Sequence, residues 1–168
     1  LMIGISNSLF PAYAMDLGIS PYEIGLIMLA SGASRMVTFY LSIMIESGIG
    51  KIGMFLAGSL ALAISTALMA YSYIALTFMI SFLIFGFGAG ICYSASISFI
   101  LRRWGSSRGH AAGLFESLIG LGNFLGSLAG GIVSVYALNA PYIYGSILSL
   151  TVFFFQLTLN RRSLTSLS

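Results

Sequence analysis

Six apolar stretches, each close to the roughly 20 residues a helix needs to cross about 30 Å of hydrocarbon, follow one another with only short breaks. Cut at Pro, Gly and polar clusters, they run from Leu1 to Met15, Tyr22 to Ile45, Ile52 to Ala70, Ile74 to Leu101, Ala111 to Tyr136 and Tyr142 to Leu159. A lipid-facing strand would be about ten residues with strict alternation, and Met54 to Met69 has none. A water-soluble domain is about one quarter charged, whereas here 7% of residues are charged and the mean hydropathy is +1.02. The expected fold is therefore an all-α integral membrane domain, a single six-helix bundle over residues 1–168. Apolar character persists throughout, unlike a cleaved leader ahead of a polar chain.

The charges report orientation. Connections 16–21, 71–73 and 137–141 carry no Lys or Arg. Lys51, then Arg102, Arg103 and Arg108, then Arg161 and Arg162 fall in the alternate connections and after the last span. By the positive-inside bias that side is cytoplasmic, including the polar tail from Ser163 to Ser168. The net charge of +3 thus reports topology, and no nucleic-acid partner is expected. Tyr13, Tyr22, Tyr71, Tyr73, Tyr136 and Tyr142 gather at the opposite ends and Trp104 at an inner one, where aromatic rings favour the headgroup level. Cys92 is the sole cysteine, so neither an internal disulfide nor a cysteine cluster for a metal is available. No cofactor is expected.

Small residues recur every four positions on two spans: Gly86, Gly90, Ser94 and Ser98 on the fourth, and Gly122, Gly126 and Gly130 on the fifth, preceded by a separate run of Gly109, Gly113 and Ser117 at the same spacing. Lipid supplies no hydrophobic drive between helices, so small residues mark faces where backbones approach closely. Such faces serve static packing or sliding equally well. Two charges lie inside spans. Arg35 is near the middle of the second, where an unpaired guanidinium costs about 2.5–3.5 kcal/mol on insertion scales. Glu116 lies about 9 Å inside the fifth, at 1.5 Å per residue from His110, at a depth suited to a gate, a proton site or an ion pair with Arg102 or Arg103. Asp16 and Glu23 flank a turn at Pro21, with Ser20 placed to cap the following helix. Asn123 and Gln156 are candidates for hydrogen bonds between helices.

Two stretches resemble the major facilitator superfamily: residues 10–25, FPAYAMDLGISPYEIG, similar to the turn between the first two helices of a half, and residues 108–116, RGHAAGLFE, continuing through Gly120, Gly122, Gly126, Gly130 and Gly131, similar to the entry into a fifth helix. The family's Gly-x-x-x-Asp-Arg-x-Gly-Arg-Lys pattern is reduced at 42–51 to SIMIESGIGK, which keeps Glu46 and a Gly-Lys51 pair but not the arginines. That degeneracy is more similar to a second half than a first, as is the short tail. The resemblance implies a C-terminal half of two inverted three-helix repeats, continuing upstream of Leu1 into a missing N-terminal half, although Met2 is another possible start.

On that resemblance the second and fifth helices face the other half, carrying Arg35 and Glu116 towards it. The first and fourth line a cavity, with Asn7, Tyr13, Tyr93, Ser94 and Ser98 as substrate candidates, joined by Asn123. Glu46, Lys51, Arg102 and Arg103 become candidates for a cytoplasmic gate. The implied function is alternating-access transport of a small solute across the bilayer of a cell membrane, with protons as a coupling ion through Glu116. A channel or a non-transporting membrane subunit is the alternative. An intramembrane hydrolase fits poorly, since His110 is interfacial and Ser31-Gly-Ala-Ser34 is no nucleophile motif.

Overall fold

A computed structural model describes residues 1–104 and 107–165, the last five by their backbone alone. The expected tail from Ser163 to Ser168 therefore lies largely outside the described residues. The described chain is helical apart from short connections, as expected for an all-α bundle: α1 (Met2–Asp16), α2 (Pro21–Ala70), α3 (Ala75–Arg103), α4 (Arg108–Ser134) and α5 (Ala140–Thr165). Four of these, α2 to α5, are long and apolar enough to cross a membrane.

Local sequence explains the first turn. Gly18 has φ +79°, a conformation cheap only for glycine, and there its N–H bonds Met15 O (3.0 Å) while Ile19 N–H bonds Ala14 O (3.0 Å). This pair of bonds closes a helix on a left-handed glycine. Ser20 then caps α2. Its Oγ accepts from Glu23 N at 3.3 Å, Glu23 Oε2 accepts from Ser20 N at 3.0 Å, and Pro21 occupies the first turn. The two reciprocal bonds form a capping box.

A straight α2 of 50 residues would extend about 75 Å, more than twice the hydrocarbon thickness. It is not straight. Gly50, with φ 68° and ψ 174°, divides it into arms 21–49 and 51–70, and the neighbours of α3 fix how they run. A side chain added at Gly86 would meet Ser31, and one at Gly90 would meet Thr38, so the first arm ascends with α3. Gly58 lies against Cys92 and Ala61 against Gly88, so the second arm descends against it. The chain thus reverses at Gly50, and α3 packs between the arms through opposite glycine faces.

The remaining directions follow the same way. Ser59 Oγ donates to Gln156 Oε1 (3.0 Å), Ser146 Oγ to Ala63 O (3.1 Å) and Asn139 Nδ2 to Ala70 O (3.3 Å), so α5 runs antiparallel to the second arm. Leu1 backs onto Gly126, and Ile5 and Leu9 onto Gly130, so α1 and α4 run parallel. Six helical rods result, alternating in direction. All described Lys and Arg residues except Arg35 consequently fall at one end, with Gly50 and Trp104.

The opposite end holds the main core. Phe10 sits 4.3 Å from Phe82 and 5.2 Å from Phe78, and Tyr13 packs at 5.7 Å on Phe78 and 5.6 Å on Tyr142, measured between ring centroids. These rings are buried almost completely. Towards the charged end the buried cluster shrinks to Met54, Ile91 and Ala95.

Candidate functional site

The glycine faces bring α3 close to both arms of α2, and so settle where Tyr93 stands. Its ring lies 5.3 Å from Phe39 on the first arm and 5.5 Å from Phe115 on α4. Its hydroxyl donates a hydrogen bond to Glu116 Oε1. Three helices therefore meet at one tyrosine, and the only acidic group inside α4 is held by it. Glu116 itself remains exposed on α4, next to Ser117 and Gly120. Only 11% of the most apolar stretch of α4 is buried, against 50% for α3, so α4 presents an open face carrying a carboxylate.

Arg35 lies on the same arm as Phe39, one helical turn before it, and residues four apart share a face. Its carbonyl abuts Gly90, which is near the middle of the 29-residue α3; Arg35 therefore sits at the mid-depth of the bundle. Its side chain is half-buried, and Nε is buried without a hydrogen-bond partner among the described residues. The four side-chain carboxylates of the chain are engaged or distant: Glu23 at the α2 cap, Glu46 on Lys51 and Arg102, Glu116 on Tyr93, and Asp16 at the far end of α1. None of them forms an ion pair with Arg35.

A groove of about 470 Å³ opens beside Tyr93, between α1, α3 and α4. Ala89, Cys92 and Ser96 of α3 and Phe115, Ile119 and Asn123 of α4 contribute to its lining. The Asn123 Oδ1 atom is buried without a partner among the described residues, while the Asn123 backbone is pressed against Gly4 of α1. Ser127 secures this contact, at 2.7 Å from Ser8 Oγ and 3.2 Å from Gly4 O.

A separate charged cluster occupies the Gly50 end. Glu46 Oε1 accepts from Arg102 at 3.2 Å and lies 4.0 Å from Lys51, whose ammonium stands 5.7 Å from the Phe99 ring. Arg102 thus reaches Glu46 rather than Glu116. Arg103 is exposed and makes no ion pair among the described residues.

The other candidates are distributed unevenly. Asn7 is exposed on α1. Tyr13 is buried in the aromatic core, away from the groove. Ser94 and Ser98 are half-buried, and Ser98 Oγ donates to Ala95 O (3.3 Å); Ser96, whose Oγ likewise donates to Cys92 O (2.7 Å), lines the groove. Gly86, Gly90, Gly126 and Gly130 each lie against a neighbouring helix, Gly122 touches Leu1, and Gly113 faces open space. Phe39 and Phe115 complete the site without having stood out in the sequence. Their signal was spacing: Phe39 follows Arg35 by one turn, and Phe115 adjoins Glu116.

A family model described as Major Facilitator Superfamily matches residues 1–166. No curated protein matches the chain.

Proposed function

The chain belongs to the major facilitator superfamily, a family of membrane transporters, and from that premise we propose that it moves a small solute by alternating access, with Glu116 as a proton-binding group. The observation that carries the reading is the Tyr93–Glu116 hydrogen bond on the open face of α4. A carboxylate eight residues inside a span lies about 12 Å from the helix start, where ionisable groups mark solute and proton paths. Protonation of Glu116 would loosen the tyrosine bond that ties α4 to α3, coupling charge to helix contact.

In this reading the six rods each cross the bilayer, with the Gly50 and Arg102 end and the C-terminus in the cytoplasm. The plasma membrane is the proposed location. A second six-helix half, as the family plan requires, covers the first arm of α2 and the open face of α4. Exposed Glu116 and Ser117 suit a protein or water contact better than a lipid one. Glu46, Lys51, Arg102 and Arg103 act at the cytoplasmic gate.

Uptake into proteoliposomes tests the carrier reading. It should saturate with solute concentration and accumulate solute against its gradient when a proton gradient is imposed. Flux that rises linearly and stops at equal concentrations would identify a channel instead.

A further inference from the structure

We propose that Arg35 anchors the carboxylate of an organic monoanion, the substrate class of the carrier, with Phe39, Tyr93 and Phe115 forming the wall for its apolar body. The inference rests on the transporter reading and adds the chemistry of what is carried.

Three features of this face select such a ligand. Arg35 is at mid-depth, its Nε is buried without a partner among the described residues, and none of Asp16, Glu23, Glu46 and Glu116 pairs with it. A guanidinium in that position needs an anion to offset its desolvation, and its planar fork matches a carboxylate bidentately. The hydroxyls on either side of it are neutral and bond elsewhere, Ser34 to Leu83 O (2.7 Å) and Thr38 to Ser34 O (2.8 Å), and neither accepts from Nε. The second feature is the wall. Phe39 lies one turn from Arg35 and contacts Tyr93, which contacts Phe115, giving three rings against which an aromatic or aliphatic body can pack. The third is Glu116, hydrogen-bonded to the same Tyr93. One cation offsets one negative charge, so a monoanion fits better than a phosphate or a dicarboxylate. Entry of the anion with a proton on Glu116 would keep the loaded site near neutrality.

The measurement begins with thermal unfolding of the purified, full-length protein in detergent, in the presence of acetate, benzoate, phenylacetate and succinate, each paired with its neutral amide. The carboxylate that stabilises most is then followed as a labelled solute into proteoliposomes. A monocarboxylate with an apolar body should stabilise and be taken up while its amide does neither. Arg35→Gln should weaken its half-saturation about 10- to 100-fold, the loss of a charge-assisted hydrogen bond, and Arg35→Lys should recover part of it. Where Arg35→Gln does not fold, the Arg35→Lys change in half-saturation and the carboxylate-against-amide contrast in the native protein decide the matter. Stabilisation by no carboxylate, or equal stabilisation by acid and amide, overturns the proposal. So does native-like affinity in Arg35→Gln, and so does a loss of stability in Arg35→Gln with carboxylate binding unaltered, which would assign Arg35 to an ion pair with another helix. In each of these cases gradient-driven uptake of a neutral or cationic solute would leave the carrier reading standing, and its absence for every solute would remove both.

Discussion

The two ends of the bundle are held together by different forces. At one, Phe10, Phe78, Phe82, Phe85, Tyr13 and Tyr142 interlock with almost no exposed surface. At the other, the helices meet through Glu46, Lys51 and Arg102 over a small cluster of Met54, Ile91 and Ala95. Rings packed to this degree have few alternative arrangements, whereas exposed ion pairs are individually weak and break easily. Under the proposed alternating access, opening would occur where contacts are weak and exchangeable, with the moving end at Gly50 and the pivot at the aromatic core. Between the two lies the Arg35, Tyr93 and Glu116 face.

Glycine substitutions should separate the regions most sharply. A methyl group at Gly86 would be driven into the Ser31 backbone, which cannot move without parting α2 from α3, whereas one at Gly113 meets nothing within 4 Å. Gly86→Ala should abolish assembly of the bundle, and Gly113→Ala should leave thermal stability within about 1 kcal/mol, the scale of the helix-propensity difference. Equal loss in both would remove the distinction between packed and open faces.

Next in size is Phe82→Ala at the aromatic end. It empties a fully buried ring site and should cost about 3 kcal/mol, near the low end for such truncations because lipid rather than water is the alternative solvent. Thermal unfolding in detergent reads this directly. A change indistinguishable from zero would mean that the aromatic end is not the rigid one.

Glu46→Gln should be milder still, below about 1 kcal/mol and diminishing with added salt. Its effect should appear in conformation instead: cysteines at Ser47 and Arg103, with Cys92 replaced, should become more reactive towards an impermeant thiol reagent. The same reagent should reach cysteines at Tyr73 and Ala137 only from the opposite side of the membrane. Labelling of Ser47 and Tyr73 positions from one side would contradict the alternation of the six rods.

Much of this architecture was legible in the chain. Composition and apolar run length point to membrane helices because a bilayer tolerates little else, and Ser20 with Glu23 declared its own cap. The four-residue spacing of Gly86 and Gly90 and of Gly126 and Gly130 marked faces that do meet other helices. Gly113 belongs to the separate run of Gly109 and Ser117, which the five-residue step from Ser117 to Gly122 turns to another side of the helix, and there it faces open space. Tyr13 was the costlier ambiguity: a tyrosine near a span end suits a headgroup, a cavity or a core, and only its placement between Phe78 and Tyr142 resolves the choice. Pairing across the chain was equally hidden. Arg102 lies near both Glu46 and Glu116 in any simple topology, and the reversal at Gly50 decides for Glu46.

The most direct test is of Glu116 itself. Proteoliposomes containing the native protein or Glu116→Gln are loaded and assayed for solute accumulation under an imposed proton gradient, and separately for exchange of internal for external solute with no gradient. If the hydrogen-bonded carboxylate is the coupling group, the variant loses accumulation against the gradient and keeps exchange at a rate comparable to the native protein. Undiminished uphill accumulation by Glu116→Gln would contradict the account and reduce the Tyr93–Glu116 bond to a structural tie between α3 and α4.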